Sequence, residues 1–237
     1  PQKILKAFNE SDTAVGEIST EGWASFQDEV NVRVADALNL DGEKQLADLL
    51  TEDDIQLLVK YFGEELSAQL LFFDPWVLNN TLSAITFDFS NLEPMQSYDM
   101  YFIEQCGIKL KKMDGLDDLS VQLDLISFGD WDFQFEMLRD SLDSVKNPEE
   151  SIENIRLLYD AYLSGDESKL ENALFSEMEA EIEKNPLYED YYNAMFKNRN
   201  IDWAGKIKNY LNQGGKTFIF AGAGHFVGPD SVFTYLK

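Results

Sequence analysis

The sequence predicts an α/β fold in which a mostly parallel β-sheet core is flanked by helices and carries a large helical insertion or layer. Three observations predict this fold. The chain opens with a helical pattern and a short apolar strand, and it closes with a strand, a glycine-rich turn and a helix start. Between them lies a long block of acidic amphipathic helices, residues 133–192. With 237 residues the chain is within the range of one α/β domain, so we expect a single domain over residues 1–237.

The opening segment combines a helix with a strand. Ile4, Leu5 and Phe8 share one helical face, and residues 14–18 form a short apolar run typical of a strand. Glu17 lies within this predicted strand, where a carboxylate either has a function or faces water from an edge strand.

Helix start signals mark the middle of the chain. Residues 51–54 resemble a capping box before an amphipathic helix, and Pro75 restarts a helix in which Trp76 either packs in the core or lines a groove. Two further helices begin at Pro148 and after Asp166.

A βα unit is predicted between these helices. The pattern indicates a helix over residues 99–106, a strand over residues 108–113, a turn at Gly115 and a helix that contains Gln122 and Leu125. We find no internal repeat and no linker of the kind that separates domains.

The segment from Tyr188 to Leu211 is rich in aromatic and basic residues, against an acidic background. Its helix carries Trp203 and Ile207 on one face. Arg199 is its notable charge, because a planar guanidinium can hold a carboxylate or stabilise an oxyanion. The alternative is a salt bridge to one of the many surface acids.

The last segment contains His225, the only histidine of the sequence. A turn at Gly214 and Gly215 precedes a strand over residues 217–220, and a glycine-rich turn then leads to a helix start near Pro229. Ligands of open α/β sheets gather at the carboxyl ends of strands, so His225 lies where a reactive side chain would be presented. We therefore expect the centre of the active site here.

Several function classes are excluded or disfavoured by composition. The 44 Asp and Glu against 19 Lys and Arg give a net charge of −25, and such a field repels phosphate backbones and anionic lipids, so we expect no nucleic-acid partner. No run of about eighteen apolar residues and no signal peptide is present, so we expect no membrane insertion by this chain. Cys106 is the single cysteine, which excludes an internal disulfide and a cysteine-based metal cage. The acidic surface either maintains solubility or attracts basic peptides or cations.

Three kinds of site could include His225: a dinucleotide-binding site, a serine or cysteine hydrolase site and a metal site. The glycines at 222, 224 and 228 resemble a dinucleotide fingerprint, but that motif should begin a βαβ unit, and here nine residues follow the last glycine. No nucleophile elbow or glycine-flanked cysteine accompanies His225. A metal site would have His225 and acids such as Glu17 as its ligands.

The chain is similar to the TraB/PrgY/GumN family, which includes the Tiki metalloproteases. The resemblance spans nearly the whole chain, and its most specific part is an Arg-Asn pair at the proper distance before a terminal GxxH. The motifs that carry it are Ala7-Phe8, Ser11-Asp12, Val15-Gly16-Glu17, Pro75-Trp76, Gly115-Leu116-Asp117 with Gln122, Arg199-Asn200, and Gly222-Ala-Gly-His225 with Gly228.

The resemblance implies an erythromycin esterase/ChaN-like fold and a site built from two GxxH motifs, a glutamate and an arginine. By matching position, Glu17, Arg199 and His225 are the implied catalytic residues. Glu17 and His225 are the implied ligands of a divalent Mn, Co or Zn ion. We expect the substrate to contact Asn200 and two glycines, Gly222 and Gly224.

The implied reaction is metal-dependent hydrolysis of peptides or of protein amino-terminal segments, at the cell envelope or outside the cell. The alternative is a peptide-binding or sequestering protein that uses the same cleft without turnover. The family's first GxxH strand would precede Pro1 and its last strand would follow Lys237, so we expect both to be missing from residues 1–237. Asp117 stands where many relatives carry glutamate.

Overall fold

The structure is a computed structural model that describes residues 2–40, 44–89 and 97–237. The chain divides into two compact units. The first unit consists of residues 1–27, 93–125 and 164–237, and the second consists of residues 28–92 and 126–163. The single domain over residues 1–237 stays a prediction.

The described chain is mostly helical. The helices in chain order are α1 Gln2–Glu10, α2 Thr20–Asp36, α3 Leu46–Leu49, α4 Glu52–Leu70, α5 Pro75–Phe89, α6 Tyr98–Lys109, α7 Leu119–Ile126, α8 Trp131–Lys146, α9 Pro148–Ser164, α10 Glu167–Lys184, α11 Leu187–Tyr192, α12 Asn198–Gln213 and α13 Val232–Leu236. A π-helical turn, Asn193–Lys197, joins α11 to α12, and a 3-10 turn spans Ala223–Phe226. None of the described helices has the length and apolar character to cross a lipid bilayer.

A small parallel sheet lies at the centre of the first unit. Its strands are β1 Thr13–Gly16, β2 Met113–Gly115 and β3 Thr217–Ile219, in the order β2-β1-β3. Val15 of β1 is in register with Asp114 on one side and with Ile219 on the other. The parallel sheet agrees with the predicted α/β class, although it is smaller than expected, and the ChaN-like fold stays a prediction.

The two faces of the sheet are covered by different helices. Because side chains alternate along a strand, Ala14 points to one face and Val15 to the other. On the Ala14 face, Phe8 of α1 and Phe102 of α6 pack with ring centroids 5.0 Å apart. On the Val15 face, Trp203 of α12 is fully buried. Both faces of the sheet are therefore covered by helices.

The second unit has a leucine-rich core formed by α4, α5 and α8, which includes Leu58, Leu78 and Leu138. The predicted capping box is confirmed, because the side chain of Thr51 accepts the N–H of Asp54 and the carboxylate of Asp54 accepts the N–H of Thr51. Trp76 is buried, which favours core packing over a groove.

Other predicted elements can be compared directly. The opening helix and the helix starts at Pro148 and after Asp166 are confirmed. The strand over residues 108–113 is wrong, because α6 continues to Lys109 and ends at Leu110, whose left-handed φ of 50° turns the chain. The strand starts only at Met113, and it includes Gly115, which we had predicted to be a turn.

Candidate functional site

The candidate site lies where the three parallel strands end. Glu17 directly follows β1, Asp117 follows β2, and Gly222 follows β3. The N–H of Asp117 donates to the carbonyl of Glu17 at 2.7 Å, which continues the strand pairing by one step and brings the two carboxylates to the same edge. This is the end of an open α/β sheet at which ligands gather.

Glu17 is held by three hydrogen-bond donors. Its Oε2 accepts from Arg199 Nη2 at 2.7 Å and from Gln122 Nε2 at 3.2 Å, and its Oε1 accepts from the N–H of Gly222 at 2.8 Å. Burial raises the pKa of Glu17, but the hydrogen bond from the Gly222 N–H and the positive charge of Arg199 outweigh burial and lower it overall. Glu17 is therefore a carboxylate at neutral pH.

Two sequence-based readings of Glu17 are corrected by this position. The strand ends at Gly16, so Glu17 lies one residue beyond it and not inside it. The strand is also the central one of the sheet, so Glu17 is not a water-facing residue of an edge strand. A carboxylate is tolerated here because the strand end supplies donors that a sheet interior cannot offer.

Arg199 is buried in the first turn of α12 and joins the ends of β1 and β2. Its Nε donates to Asp117 Oδ2 at 2.8 Å, and its Nη2 lies 2.7 Å from both Glu17 Oε2 and Asp117 Oδ2. Its Nη1 donates at 2.9 Å to the carbonyl of Met195, within the π-helical turn that precedes α12. The alternative of a surface salt bridge is wrong, because the guanidinium pairs with two inward-facing carboxylates.

Asp117, Gln122 and Trp203 complete the cluster, and we had not predicted them as site residues. Gln122 Nε2 donates to Asp117 Oδ2 at 2.8 Å, and Trp203 Nε1 donates to Asp117 Oδ1 at 2.6 Å. The Trp203 ring also lies under the guanidinium, with its centroid 4.8 Å from Arg199 Cζ. The sequence signal that could have indicated a site role for Asp117 and Gln122 is the family motif Gly115-Leu116-Asp117 with Gln122.

His225 is buried in the 3-10 turn after β3, with its ring 4.2 Å from that of Trp203 and 5.3 Å from that of Phe196. Its Nδ1 lies 2.7 Å from Asn200 Oδ1, and Asn200 Nδ2 donates to the carbonyl of Asp230 at 2.7 Å. The Asp230 carbonyl orients the amide so that its oxygen faces the ring. The proton of neutral His225 is therefore on Nδ1, and the lone pair is on Nε2.

The environment keeps His225 neutral. Burial and the positive charge of Arg199 lower the pKa of His225 to about 4, although Glu17 and Asp117 act in the opposite direction. Within the described part of the chain, Nε2 has no hydrogen-bond partner. An imidazole that is neutral, oriented through Nδ1 and unpartnered at Nε2 can accept a proton or bind a metal ion.

The three residues predicted to bind substrate have contacts inside the site. Asn200 orients His225, and Gly222 supplies the N–H that holds Glu17. A Cβ at Gly222 would lie 3.3 Å from Glu17 Oε1 and 3.8 Å from His225 Cδ2, so both side chains flank this backbone position. A Cβ at Gly224 would lie only 2.9 Å from Phe196 Cε1. Their contact with substrate stays a prediction.

A metal ion at this site would require ligands from the neighbouring side chains. A mononuclear site normally takes three or four protein ligands. His225 Nε2 fits one such position, whereas both oxygens of Glu17 already accept hydrogen bonds. Over residues 2–40, 44–89 and 97–237, no three or more His, Cys, Asp or Glu side chains form a metal-binding group. These residues do not by themselves fit a complete metal site, and a bound Mn, Co or Zn ion stays a prediction.

Comparison with known proteins places the chain in a family. A protein of Treponema pallidum (strain Nichols), described as an uncharacterized protein, is 27% identical over 240 residues that cover 99% of this chain and 71% of that protein. No solved structure matches the chain. The model of the TraB/PrgY/gumN family matches residues 1–237. The chain therefore belongs to the TraB/PrgY/gumN family.

Proposed function

We propose that the protein hydrolyses peptide bonds in peptides or in amino-terminal segments of proteins. The reaction class follows from the family resemblance, in which Tiki-type members are metal-dependent proteases. The observation that carries the proposal is the state of His225. Its ring is neutral and is oriented by Asn200, and Nε2 has no partner in the described part of the chain, beside a charged cluster at the strand ends.

In this proposal His225 Nε2 accepts a proton from the attacking water and returns it to the leaving amine. Arg199 has five N–H donors, and its contacts with Asp117, Glu17 and Met195 leave one on Nη1 for a substrate carbonyl oxygen. Because the pKa of His225 is about 4, the base form persists at neutral pH and is lost as the pH falls through that value. We expect cleavage to decline on the acid side accordingly.

A divalent Mn, Co or Zn ion remains part of the proposal as a cofactor. His225 Nε2 is the donor of the described residues that would hold it; Nε2 would then not act as the base, and the ion would instead lower the pKa of a bound water. Its other ligands would have to be supplied by groups other than those described above. The cell-envelope or extracellular location also remains a proposal.

The second candidate is a peptide-binding protein without turnover. The observation that favours it is that Glu17 accepts three hydrogen bonds, which occupy three of the roughly four lone-pair positions of a carboxylate and weaken it as a base toward water. In that case neither a metal ion nor the charge of Glu17 is needed for function.

The test compares peptide cleavage by the wild type, by His225→Ala and by Glu17→Gln, with products identified by mass spectrometry and with metal content measured on each preparation. Leu211→Ala, a truncation at an exposed position of α12, is the control and should cleave like the wild type. Loss of cleavage with retained peptide affinity in both site variants supports the hydrolase. If His225→Ala cleaves as fast as the wild type and the protein holds no Mn, Co or Zn, the hydrolase proposal is wrong.

A further inference from the structure

A cavity opens beside the candidate site, between α10 and the turn that follows His225. Its volume of about 330 Å³ is at the lower end of the range for small-ligand sites, ~300–1,000 Å³. There is room for one large side chain but not for a folded partner. Its lining includes four apolar side chains and two carboxylates: Phe175, Met178, Ile182, Tyr192, Glu171 and Asp230.

The apolar wall of this cavity is organised by aromatic contacts. The ring of Phe175 meets that of Tyr192 edge-on, with centroids 5.8 Å apart. Phe175 also packs against Gly228, where a Cβ would lie 3.0 Å from its ring. Because Gly228 has a φ of +82°, a conformation that side chains rarely adopt, this turn is built to bring the aromatic wall close to the backbone.

The two carboxylates supply the polar part of the cavity. Asp230 Oδ1 accepts from the hydroxyl of Tyr235 at 2.5 Å, and this bond raises the pKa of Tyr235 to about 12. Among the described residues, neither Glu171 nor Asp230 forms an ion pair with a cationic side chain. The net charge of −25 adds to the local field, so a cation is attracted here and an anion is repelled.

The cavity is joined to His225 by direct contacts. The carbonyl of Asp230 accepts from Asn200, which in turn orients His225. On the apolar side, Phe175 contacts Phe196 with centroids 5.3 Å apart, and Phe196 lies at the same distance from the imidazole. Asn200 and Phe196 therefore each contact both His225 and a residue that lines the cavity.

We propose that this cavity is a specificity pocket that takes a lysine or arginine side chain of the peptide. The methylene stem of such a side chain packs on Phe175 and Met178, and its charged head meets Glu171 and Asp230. Lysine and arginine combine a long apolar stem with a positive end, as this lining requires. The assignment rests on the proposed function only in that the ligand is a peptide. It does not depend on cleavage of that peptide.

The test measures binding of two labelled peptides that differ only by arginine or glutamine at one central position, using fluorescence anisotropy at low salt with the whole protein. Two partly exposed carboxylates are together worth about tenfold in affinity. We expect the wild type to bind the arginine peptide about tenfold more tightly than the glutamine peptide. The double variant Glu171→Gln/Asp230→Asn should bind the two peptides within about twofold of each other.

Glu183→Gln is the control, because it removes one carboxylate charge from an exposed position of α10 that does not line the cavity. It should keep the arginine preference. Ser176→Trp, which fills the cavity from its rim, should weaken binding of the arginine peptide while the secondary structure is unchanged. If the double variant keeps the preference, or if Glu183→Gln loses it to the same extent, the pocket assignment is wrong.

The same peptides separate this assignment from the proposed function. Cleavage of both peptides with equal efficiency and equal affinity overturns the pocket and leaves the hydrolase intact. Preferential binding of the arginine peptide without cleavage of either peptide supports the pocket and overturns the hydrolase.

Discussion

Replacing Arg199 by methionine tests whether the charged cluster stabilises the strand ends. The substitution keeps a flexible apolar side chain in α12 but removes the guanidinium that pairs with Glu17 and Asp117. The side chain of Asp117 is only 5% exposed, so its charge would stay buried with donors from Gln122 and Trp203 alone. Removing one partner of a buried ion pair costs about 3–5 kcal/mol, a large part of the ~5–15 kcal/mol that stabilises a typical domain.

The loss should depend on pH in a defined direction. The folded-state pKa of Glu17 is below its ordinary value of 4.5, so Glu17 contributes stability above 4.5 and loses it as the pH falls through the folded-state value. Without Arg199 the carboxylate of Glu17 protonates more easily, and burial of a neutral acid costs less free energy than burial of a charge. The difference in unfolding free energy between wild type and Arg199→Met should therefore shrink from neutral pH to about pH 4.5.

The assay is urea unfolding followed by circular dichroism at the two pH values. Arg156→Met, at an exposed position of α9, is the control and should change the unfolding free energy by no more than about 0.5 kcal/mol. The double variant Arg199→Met/Asp117→Asn should recover part of the lost unfolding free energy, because it also removes the buried negative charge of Asp117 that Arg199→Met leaves without a cationic partner. An Arg199→Met variant no less stable than the control, or a loss that is equal at both pH values, would refute this reasoning.

Three further predictions concern the neighbours of the cluster. His225 is the only histidine of the sequence, so it gives the only imidazole signals in an NMR titration. The signals should show a proton on Nδ1 and a titration midpoint near pH 4 instead of 6.5. A midpoint near 6.5 would mean that the ring is not buried. Trp203→Phe keeps an aromatic ring but removes the indole N–H that donates to Asp117 Oδ1, so the unfolding free energy measured in urea should fall by about 1–3 kcal/mol. An unchanged value would mean that water replaces the indole N–H as the donor. Gly224→Ala places a Cβ 2.9 Å from Phe196 and should cost about 1–3 kcal/mol in the same assay, unless that ring moves away freely.

Local patterns accounted for much of the secondary structure. The capping box at Thr51, the helix start at Pro148 and the cap at Asp166 were predictable because each depends on a few adjacent residues. The strand over residues 108–113 failed for the opposite reason. Its apolar and basic residues suit either a strand or a helix end, and the left-handed turn at Leu110 decides between them.

The composition of the site was predicted only in part. Glu17, Arg199 and His225 were found from the family motifs, and the structure brings Glu17 and Arg199 into contact, with Gly222 between Glu17 and His225. Trp203 was interpreted as one residue of an apolar helix face, because nothing in its neighbours shows that its indole N–H points at a carboxylate. A hydrogen bond between residues that are 86 positions apart cannot be recognised from the sequence around either residue.

The sequence by itself determined the family, the acidic character and several helix starts, and it predicted the three candidate site residues, because motifs, charges and caps are properties of the sequence alone. Only the tertiary structure decided that Glu17 follows the central strand, that Arg199 joins it to Asp117, and that His225 is buried and neutral. Those properties depend on burial and on donors that come from distant parts of the chain. Strand order and helix packing determine these properties, and neither can be predicted from any one segment.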